Sequence, residues 1–182
     1  KELTKKEKVV GQTILENYHH IKTLLKKTRK YSGRFRTPKL KVIAGEKKKE
    51  TICKENDVFV KLDVEKVYFS PRMSSERISI ADLVKTNESV LVMFSGVASY
   101  PLVLAKNSLA KQIVGVEINP QAHELAMENV RINQFGEKIK LYLGDVREVV
   151  PKIREKFNRV VMPLPKTGEE FLDVALPRVK KN

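Results

Sequence analysis

The stretch SVLVMFSGVASYP, residues 89–101, decides the fold of this 182-residue chain. Its first part, Ser89 to Phe94, is almost wholly apolar, as expected for a strand of a parallel sheet that is buried on both faces. Gly96 follows, and a residue without a side chain lets the backbone approach a ligand closely. Residues 100–107 then have the apolar spacing of a helix. A strand, a glycine-containing turn and a helix in this order predict the first unit of an α/β fold.

The rest of the second half repeats this alternation. Four strands alternating with helices predict a parallel sheet with helices on both faces, which is a Rossmann-like fold. In such sheets ligands bind at the carboxyl ends of the strands. Beyond residues 89–107, the predicted strands are 112–118, 138–144 and 159–164, and the predicted helices are 78–84, 119–133, 146–156 and 168–179.

The first 66 residues have a different pattern and predict a small α+β domain. Apolar residues recur at helical spacing over residues 5–30, residues 39–45 alternate as in a strand, and residues 50–64 have the pattern of a hairpin. The sequence therefore predicts two domains, 1–66 and 67–182.

The positive charge is concentrated in the first of these domains. The whole chain has 36 Lys and Arg against 22 Asp and Glu, and residues 1–66 hold 19 of the basic and 9 of the acidic residues. Such a field attracts polyanions, and residues 29–36 mix three arginines with Tyr31 and Phe35. Nucleic acid is the favoured partner. The alternative is the solvated, Lys-rich surface of a heat-adapted protein.

Several classes of protein are excluded by composition. No apolar run approaches the roughly 18 residues of a membrane span, so no membrane association is expected. Cys53 is the single cysteine and there are three histidines, which excludes a disulfide framework within the chain and disfavours a zinc site or any other metal site. The Lys-rich start lacks the apolar segment of a signal peptide. A reducing, cytoplasmic location is expected.

Carboxylates follow the second and third strands of the predicted sheet. Glu117 can accept hydrogen bonds from both hydroxyls of a ribose, because carboxylates are acceptors and both hydroxyls are donors. Asp145 can accept a hydrogen bond from the exocyclic amine of adenine. The alternative for each is a cap of the following helix. Together with Gly96 they predict an adenosine-containing ligand, most simply S-adenosylmethionine, since the chain lacks GxGxxG and P-loop motifs.

From about Tyr31 to Leu176 the chain resembles a known family, the archaeal-type tRNA (guanine-37-N1)-methyltransferases, which are Met-10-like class I methyltransferases. The combination of FSPR and ER at 69–77, F-x-GV at 94–97 and INP at 118–120 is specific to that family. The motifs that carry the resemblance are GRFR (33–36), IAGEKK (43–48), VYFSPRMSSER (67–77), MFSGVASYP (93–101), EINPQAHELAMENVRIN (117–133), GDVREV (144–149) and MPLPK (162–166).

The resemblance implies a methyltransferase domain behind a small tRNA-binding domain, S-adenosylmethionine as methyl donor and tRNA as partner. It makes Glu76 the general base that removes the proton from guanine N1, with burial expected to make it a stronger base. It places Arg36 opposite the target guanine, where it can stabilise charge on O6, and it implies that Arg72 and Pro165 contact the substrate. The residues it assigns to the cofactor are Arg77, Phe94, Gly96, Glu117, Ile118, Asp145, Val146 and Pro163.

Three positions depart from the family pattern. Val92 replaces an Asp, Ala98 replaces a Gly and is expected to crowd the methionine end of the cofactor, and Pro163 replaces the Asn of an Asn-Leu-Pro motif. Two alternatives to guanine methylation therefore stay open: aminocarboxypropyl transfer in wybutosine synthesis, and a non-catalytic relative that binds tRNA or another partner.

The resemblance also implies that the chain is truncated at its C-terminus, without about three further strands. The fourth strand is then expected to form an open apolar edge, which a second chain could complete.

Overall fold

Two antiparallel hairpins and one four-stranded parallel sheet contain the strands of the computed structural model, which describes residues 6–164 and 167–181. The sheet and its helices confirm the Rossmann-like fold. Within the described residues the helices are all too short or too polar to cross a bilayer.

The first half begins with helix α1 (Glu7–Asn17), followed by β1 (Thr23–Ser32) and β2 (Thr37–Gly45), which form the first hairpin. The prediction of one helix over residues 5–30 is therefore wrong beyond residue 17. The leucines within residues 5–30 are spaced as in a helix. In the structure, however, β1 pairs with β2 along its whole length. The spacing of residues within one segment does not show that the segment pairs with another.

The second hairpin consists of β3 (Glu50–Glu55) and β4 (Val58–Asp63) and confirms the hairpin predicted over residues 50–64. Asn56 and Asp57 connect the strands, both with positive φ, which is the two-residue turn that matches the twist of a hairpin. Asn129 fastens β4 to the second half, because its side chain accepts a hydrogen bond from the Lys61 N–H at 2.7 Å and donates to the Lys61 carbonyl at 2.9 Å.

The second half follows the predicted order of strands and helices. Its strands lie in the order β7-β6-β5-β8, all parallel. The elements are α2 (Ser74–Asp82), β5 (Ser89–Met93), α3 (Ser99–Asn107), β6 (Gln112–Glu117), α4 (Pro120–Ile132), β7 (Ile139–Leu143), α5 (Val146–Val149), β8 (Arg159–Val161) and α6 (Leu172–Ala175).

Two predicted helices are shorter than expected. The helix expected at 146–156 is α5 followed by a 3-10 turn, Val150–Lys152, which contains Pro151. The helix expected at 168–179 is α6 between two 3-10 turns, Gly168–Phe171 and Leu176–Arg178. Proline lacks the N–H that continues a helix, which accounts for the early end of α5.

Strand β5 is buried on both faces, as its apolar sequence predicts. Val90 and Val92 belong to the core cluster on the side of α2, α3 and α4, whereas Leu91 and Met93 belong to the cluster that contains Val146 of α5. All four β5 side chains are fully buried.

The last described residues run parallel to the segment that leads into β8. The Phe157 N–H donates to the Arg178 carbonyl and the Lys180 N–H donates to the Phe157 carbonyl, each at 2.8 Å, which pairs Phe157 with Val179. The edge expected to be open is thus partly covered at its beginning.

Candidate functional site

A cavity of about 370 Å³ lies at the carboxyl ends of β5 and β8. These two strands are neighbours in the sheet, although β6 and β7 come between them in the chain, so the strand order reverses beside β5. A reversal of this kind marks the usual ligand crevice of an α/β sheet. The volume lies within the roughly 300–1,000 Å³ of small-molecule sites. The walls are formed by residues 68–70, the first turn of α2, the loop after β5 and residues 162–164.

The loop after β5 turns sharply because three of its residues adopt positive φ. Phe94 has φ +58°, Gly96 has +57° and Ala98 has +67°. Phe94 and Gly96 line the cavity. Ala98 instead begins α3 and is fully buried in the core on the side of α3 and α4, and it is not among the residues that line the cavity.

Glu117 ends β6 and is fixed by backbone N–H groups. Its Oε2 accepts a hydrogen bond from Gly96 at 2.7 Å and its Oε1 accepts one from Asn119 at 2.8 Å. Burial raises the pKa of Glu117, and these backbone donors act in the opposite direction. The alternative of a helix cap is wrong here, because Asn119 caps α4 through Gln121. A carboxylate has about four acceptor positions, so each oxygen can still accept a hydroxyl.

Asp145 lies beside Glu117, as expected for the ends of adjacent parallel strands. The Gly144 N–H donates to the Glu117 carbonyl at 2.8 Å. Asp145 does cap α5, since its Oδ1 accepts the Arg147 N–H at 2.9 Å, and its Oδ2 accepts Arg34 Nη2 at 2.6 Å. The contact with Arg34 joins the basic hairpin to this edge of the sheet. Ile118 and Val146 follow the two carboxylates in the chain.

Glu76 lines the cavity from the first turn of α2. It is exposed, contrary to the expectation that burial prepares its carboxylate. Its Oε1 accepts a hydrogen bond of 2.6 Å from the hydroxyl of Tyr100.

Tyr100 was not singled out in the sequence. It is buried, and burial together with the hydrogen bond to Glu76 raises its pKa. Its position could have indicated a role, because Tyr100 lies in the first turn of α3, directly after the glycine loop at the strand ends.

Arg77 also lines the cavity, but its guanidinium is committed to another partner. Nε and Nη2 donate to the carboxylate of Glu55 on β3 at 2.6 and 2.7 Å, and Nη2 donates to the Ser70 carbonyl at 3.0 Å. Both ionic side chains are buried. The guanidinium lies over the rings of Phe69 and Tyr100 at 5.3 and 5.5 Å. Arg77 therefore holds the cavity wall together, a role that sequence reasoning missed because Glu55 is distant in the chain.

A second groove, of about 500 Å³, adjoins the cavity. The two share Leu164, and Tyr68 lies between them: it lines the cavity, its ring contacts Tyr31 edge to face at 5.4 Å, and Arg36 lies 5.2 Å above it. Arg36 is thus at the mouth of the cavity. The groove is lined by Lys27, Lys30, Tyr31, Arg36, Leu164 and Thr167.

Three further predicted site residues remain: Pro163, Arg72 and Pro165. Pro163 lines the cavity. Arg72 is exposed in the 3-10 turn before α2. Pro165 lies outside the described residues. No three His, Cys, Asp or Glu side chains are grouped as a metal site within the described ranges.

Comparison with family models adds to this geometry. The TRM5/TYW2 methyltransferase domain matches residues 51–182, and the TYW2 N-terminal domain matches residues 1–48. The chain belongs to the TRM5/TYW2 methyltransferase family.

Curated relatives of this family member act on position 37 of tRNA. It is 39% identical over 169 residues to the tRNA (guanine(37)-N(1))-methyltransferase Trm5b of Pyrococcus abyssi, covering 93% of this chain and 49% of the relative. It is 34% identical to the tRNA (guanine(37)-N(1))/4-demethylwyosine(37)-methyltransferase Taw22 of Nanoarchaeum equitans, covering 96% of this chain and 75% of the relative. A third relative, 36% identical over 84% of this chain and 59% of its own length, is the tRNA(Phe) (4-demethylwyosine(37)-C(7)) aminocarboxypropyltransferase of Methanocaldococcus jannaschii.

Solved structures of the same family share the fold. The complex of aTrm5 with tRNALeu superposes with a TM-score of 0.87 at 36% identity, over 97% of this chain and 50% of that one. Trm5 of Methanocaldococcus jannaschii in complex with adenosine superposes with a TM-score of 0.78, also at 36% identity, over 96% of this chain and 50% of that one. This chain spans about half the length of several of the proteins it matches.

Proposed function

We propose that this chain transfers a methyl group from S-adenosylmethionine to N1 of guanine 37 in tRNA. The observation that carries the proposal is one cavity at the strand reversal that brings together Glu76, Phe94, Gly96 and Pro163, with Arg36 at its mouth. Relatives with this activity support it.

The residues present fit an adenosyl group at the strand ends. The Glu117 carboxylate is fixed by two backbone donors and keeps acceptor positions for the two ribose hydroxyls. Asp145 can accept the adenine amine beside its existing bonds, with Ile118 and Val146 as apolar neighbours. Phe94, Gly96 and Pro163, which line the cavity, would border the rest of the cofactor. When bound, S-adenosylmethionine supplies a methyl group already activated as a sulfonium.

The chain's own residues then prepare guanine as the nucleophile. Guanine N1 carries a proton, and Glu76 is placed on the cavity wall to accept it. As the proton leaves N1, negative charge grows on O6, and the Arg36 guanidinium can donate to it. N1 then forms its bond to the methyl carbon as the carbon–sulfur bond breaks, and the proton remains on Glu76. The wall made by Arg77 and Tyr100 holds these groups in position.

We assign tRNA binding to the basic domain, residues 1–66, and the route of the RNA to the groove beside the cavity. Lys27, Lys30 and Arg36 supply positive charge there, and Tyr31 supplies an aromatic face. Cations beside an aromatic face suit a single-stranded nucleotide, whose phosphate and base they can hold. A nucleotide in this groove would neighbour the guanine that enters the cavity.

Methyl-labelled S-adenosylmethionine tests the proposal. The chain is incubated with tRNA transcripts that carry guanine or adenine at position 37, and the label is located after digestion. We expect label at N1 of guanine in the first transcript and none in the second, and E76Q should lower the rate by a hundredfold or more. Absence of label at N1 contradicts the proposal.

Aminocarboxypropyl transfer to the base at position 37 is the second candidate. It is favoured by the match of residues 1–48 to the TYW2 N-terminal domain and by the aminocarboxypropyltransferase relative. Cofactor labelled in its carboxyl carbon separates the two reactions, because that carbon reaches the tRNA only if the aminocarboxypropyl group moves. Transcripts carrying 4-demethylwyosine belong in the same assay. Binding of tRNA without transfer of either label would favour a non-catalytic role.

A further inference from the structure

The hydroxyl of Tyr100 contacts the proposed base directly. Tyr100 Oη and Glu76 Oε1 are 2.6 Å apart, and Tyr100 is only 5% exposed. A carboxylate is an acceptor only, so the tyrosine is the donor. Because burial raises the pKa of Tyr100, its hydroxyl stays protonated and keeps donating over the working range of pH.

The two side chains differ in freedom. Glu76 is exposed and has three rotatable bonds, so holding its carboxylate in one place costs side-chain entropy. Tyr100 is fixed: its ring lies 5.5 Å from the guanidinium of Arg77, which is itself held by Glu55. The charged groups that face the hydroxyl are therefore Glu76 and Arg77 on α2 and Glu55 on β3.

We propose that Tyr100 is a positioning residue for Glu76: its buried hydroxyl holds Oε1, so that Oε2 is the oxygen that takes the proton from guanine N1. The proposal rests on the proposed function for the identity of the substrate. Tyr100 itself neither takes up the proton nor touches the transferred group. With Tyr100 in place, the Glu76 carboxylate is already oriented for proton transfer before the substrate binds.

The variant Y100F tests this, since it removes one oxygen and keeps the ring. We expect kcat for methyl transfer to fall about tenfold or more, in line with the loss of a hydrogen bond to a charged group. The KM for the cofactor should change less than twofold. The loss should appear in kcat and not in KM, because the carboxylate stays in the site but no longer holds one orientation. Y142F, at an exposed tyrosine on β7, is the matched control and should keep the activity of the unaltered chain.

A double variant separates positioning from general damage. In the E76Q background Y100F should lower the residual rate by less than twofold, because its effect passes through the carboxylate. Unchanged kcat in Y100F, a loss carried by the KM for the cofactor, or the same factor of loss in the E76Q background would each overturn the proposal.

A measurement without turnover keeps the test independent of the proposed function. If the unaltered chain transfers no methyl group to guanine, the proposed function fails, and the carboxyl carbon of Glu76 is instead followed by ¹³C NMR, with E76Q assigning the signal. At one fixed pH, a carboxyl signal that changes position in Y100F but not in Y142F supports the contact between Tyr100 and Glu76. An identical signal in Y100F overturns the proposal.

Discussion

At the scale of single residues, Arg77 and Glu55 form the ion pair on which the cavity wall depends. Their side chains are 3% and 6% exposed, and the guanidinium makes two short hydrogen bonds to the carboxylate. Two charges removed from water are stable only while they are paired. The pair joins α2 to β3 and, through the Ser70 carbonyl, fixes the segment before α2.

Removing the cation of this pair should therefore destabilise the chain strongly. We expect R77M to lower the free energy of unfolding by about 3–5 kcal/mol, because Glu55 is left buried without a partner. The double variant E55Q/R77M should recover part of that loss. R154M, at an exposed position, should stay within about 0.5 kcal/mol of the unaltered chain. Urea unfolding gives all four values, and a loss below about 1 kcal/mol for R77M would contradict the role of the pair.

The second residue with a definite electrostatic consequence is Glu117. Burial raises its pKa in the folded chain, so between its ordinary pKa and the raised value the folded state holds a proton that the unfolded state has released. The contribution of Glu117 to stability is thus fully present below the ordinary pKa and is lost as pH rises through the raised value.

We expect the stability of the unaltered chain relative to E117Q to fall as pH rises above the ordinary pKa of a glutamate and through the raised pKa of Glu117. The difference removes the effects of other titrating groups, and E148Q, at an exposed glutamate, corrects for the loss of one negative charge. Chemical unfolding at each pH measures the difference. A difference that grows with pH would show that the backbone donors from Gly96 and Asn119 outweigh burial.

Some contacts of the site could be predicted from the positions of residues along the chain, and others could not. Gly96, Glu117 and Asp145 follow predicted strands, and parallel topology alone brings the ends of neighbouring strands together, so their proximity could be predicted. The partners Glu55 of Arg77 and Arg34 of Asp145 lie 22 and 111 residues away in the chain. Such pairings depend on how the hairpins pack on the sheet, which periodicity does not reveal.

At the scale of elements, the same distinction separates the strands of the parallel sheet, which were predicted, from β1, which was not. The strands of the sheet were predictable because their apolar runs are short, rich in β-branched residues and bounded by turn residues, which favours a strand over a buried helix. Strand β1 was not, because Lys and Leu are good helix formers and its pairing with β2 overrides that local preference. The last six residues of β1 are exposed, so this strand has no alternation of buried and exposed residues that would indicate a strand instead of a helix.

The end of α4 offers a test of backbone conformation. Gln134 follows the C-cap, has φ +60° and is exposed. Non-glycine residues pay roughly 1–2 kcal/mol in this left-handed region, where helices commonly end with glycine. We expect Q134G to raise the free energy of unfolding by about 1 kcal/mol, seen as a rise in the thermal midpoint of roughly 2–4 °C.

Glu137 supplies the control for this variant, because it is an exposed residue in the same connection and does not have positive φ. E137G should lower the free energy of unfolding by up to about 1 kcal/mol. Glycine relieves no strain at this position, and it increases the conformational entropy of the unfolded chain. Equal effects of the two glycines would contradict the conformational explanation.

At the scale of the whole molecule, the basic half and the sheet meet at the edge where the cofactor is expected. Arg34, in the turn between β1 and β2, donates to Asp145 at the end of β7. Tyr31 and Arg36 of the same hairpin contact Tyr68, which lines the cavity. The hairpin that carries the positive charge therefore borders the cavity, so the groove proposed for RNA lies beside the proposed site of methyl transfer.

This arrangement predicts which lysines contribute to the salt dependence of tRNA binding. Each phosphate contact on single-stranded RNA contributes about 0.7 to the slope of log K against log salt concentration. Lys27 and Lys30 line the groove beside the cavity, so K27A/K30A should reduce that slope by about 1.4 if each lysine holds one phosphate. Filter binding of tRNA at several salt concentrations measures it.

The control pair removes the same charge at the amino ends of the strands, away from the cavity at their carboxyl ends. Lys106 lies in the last turn of α3 and Lys111 directly precedes β6, and both are exposed. Because the Debye length is about 8 Å at physiological salt, charges far from the bound RNA are screened. K106A/K111A should therefore change the slope by less than about 0.3. Equal slopes for the two pairs would mean that net charge alone attracts the tRNA and that the groove holds no particular phosphate.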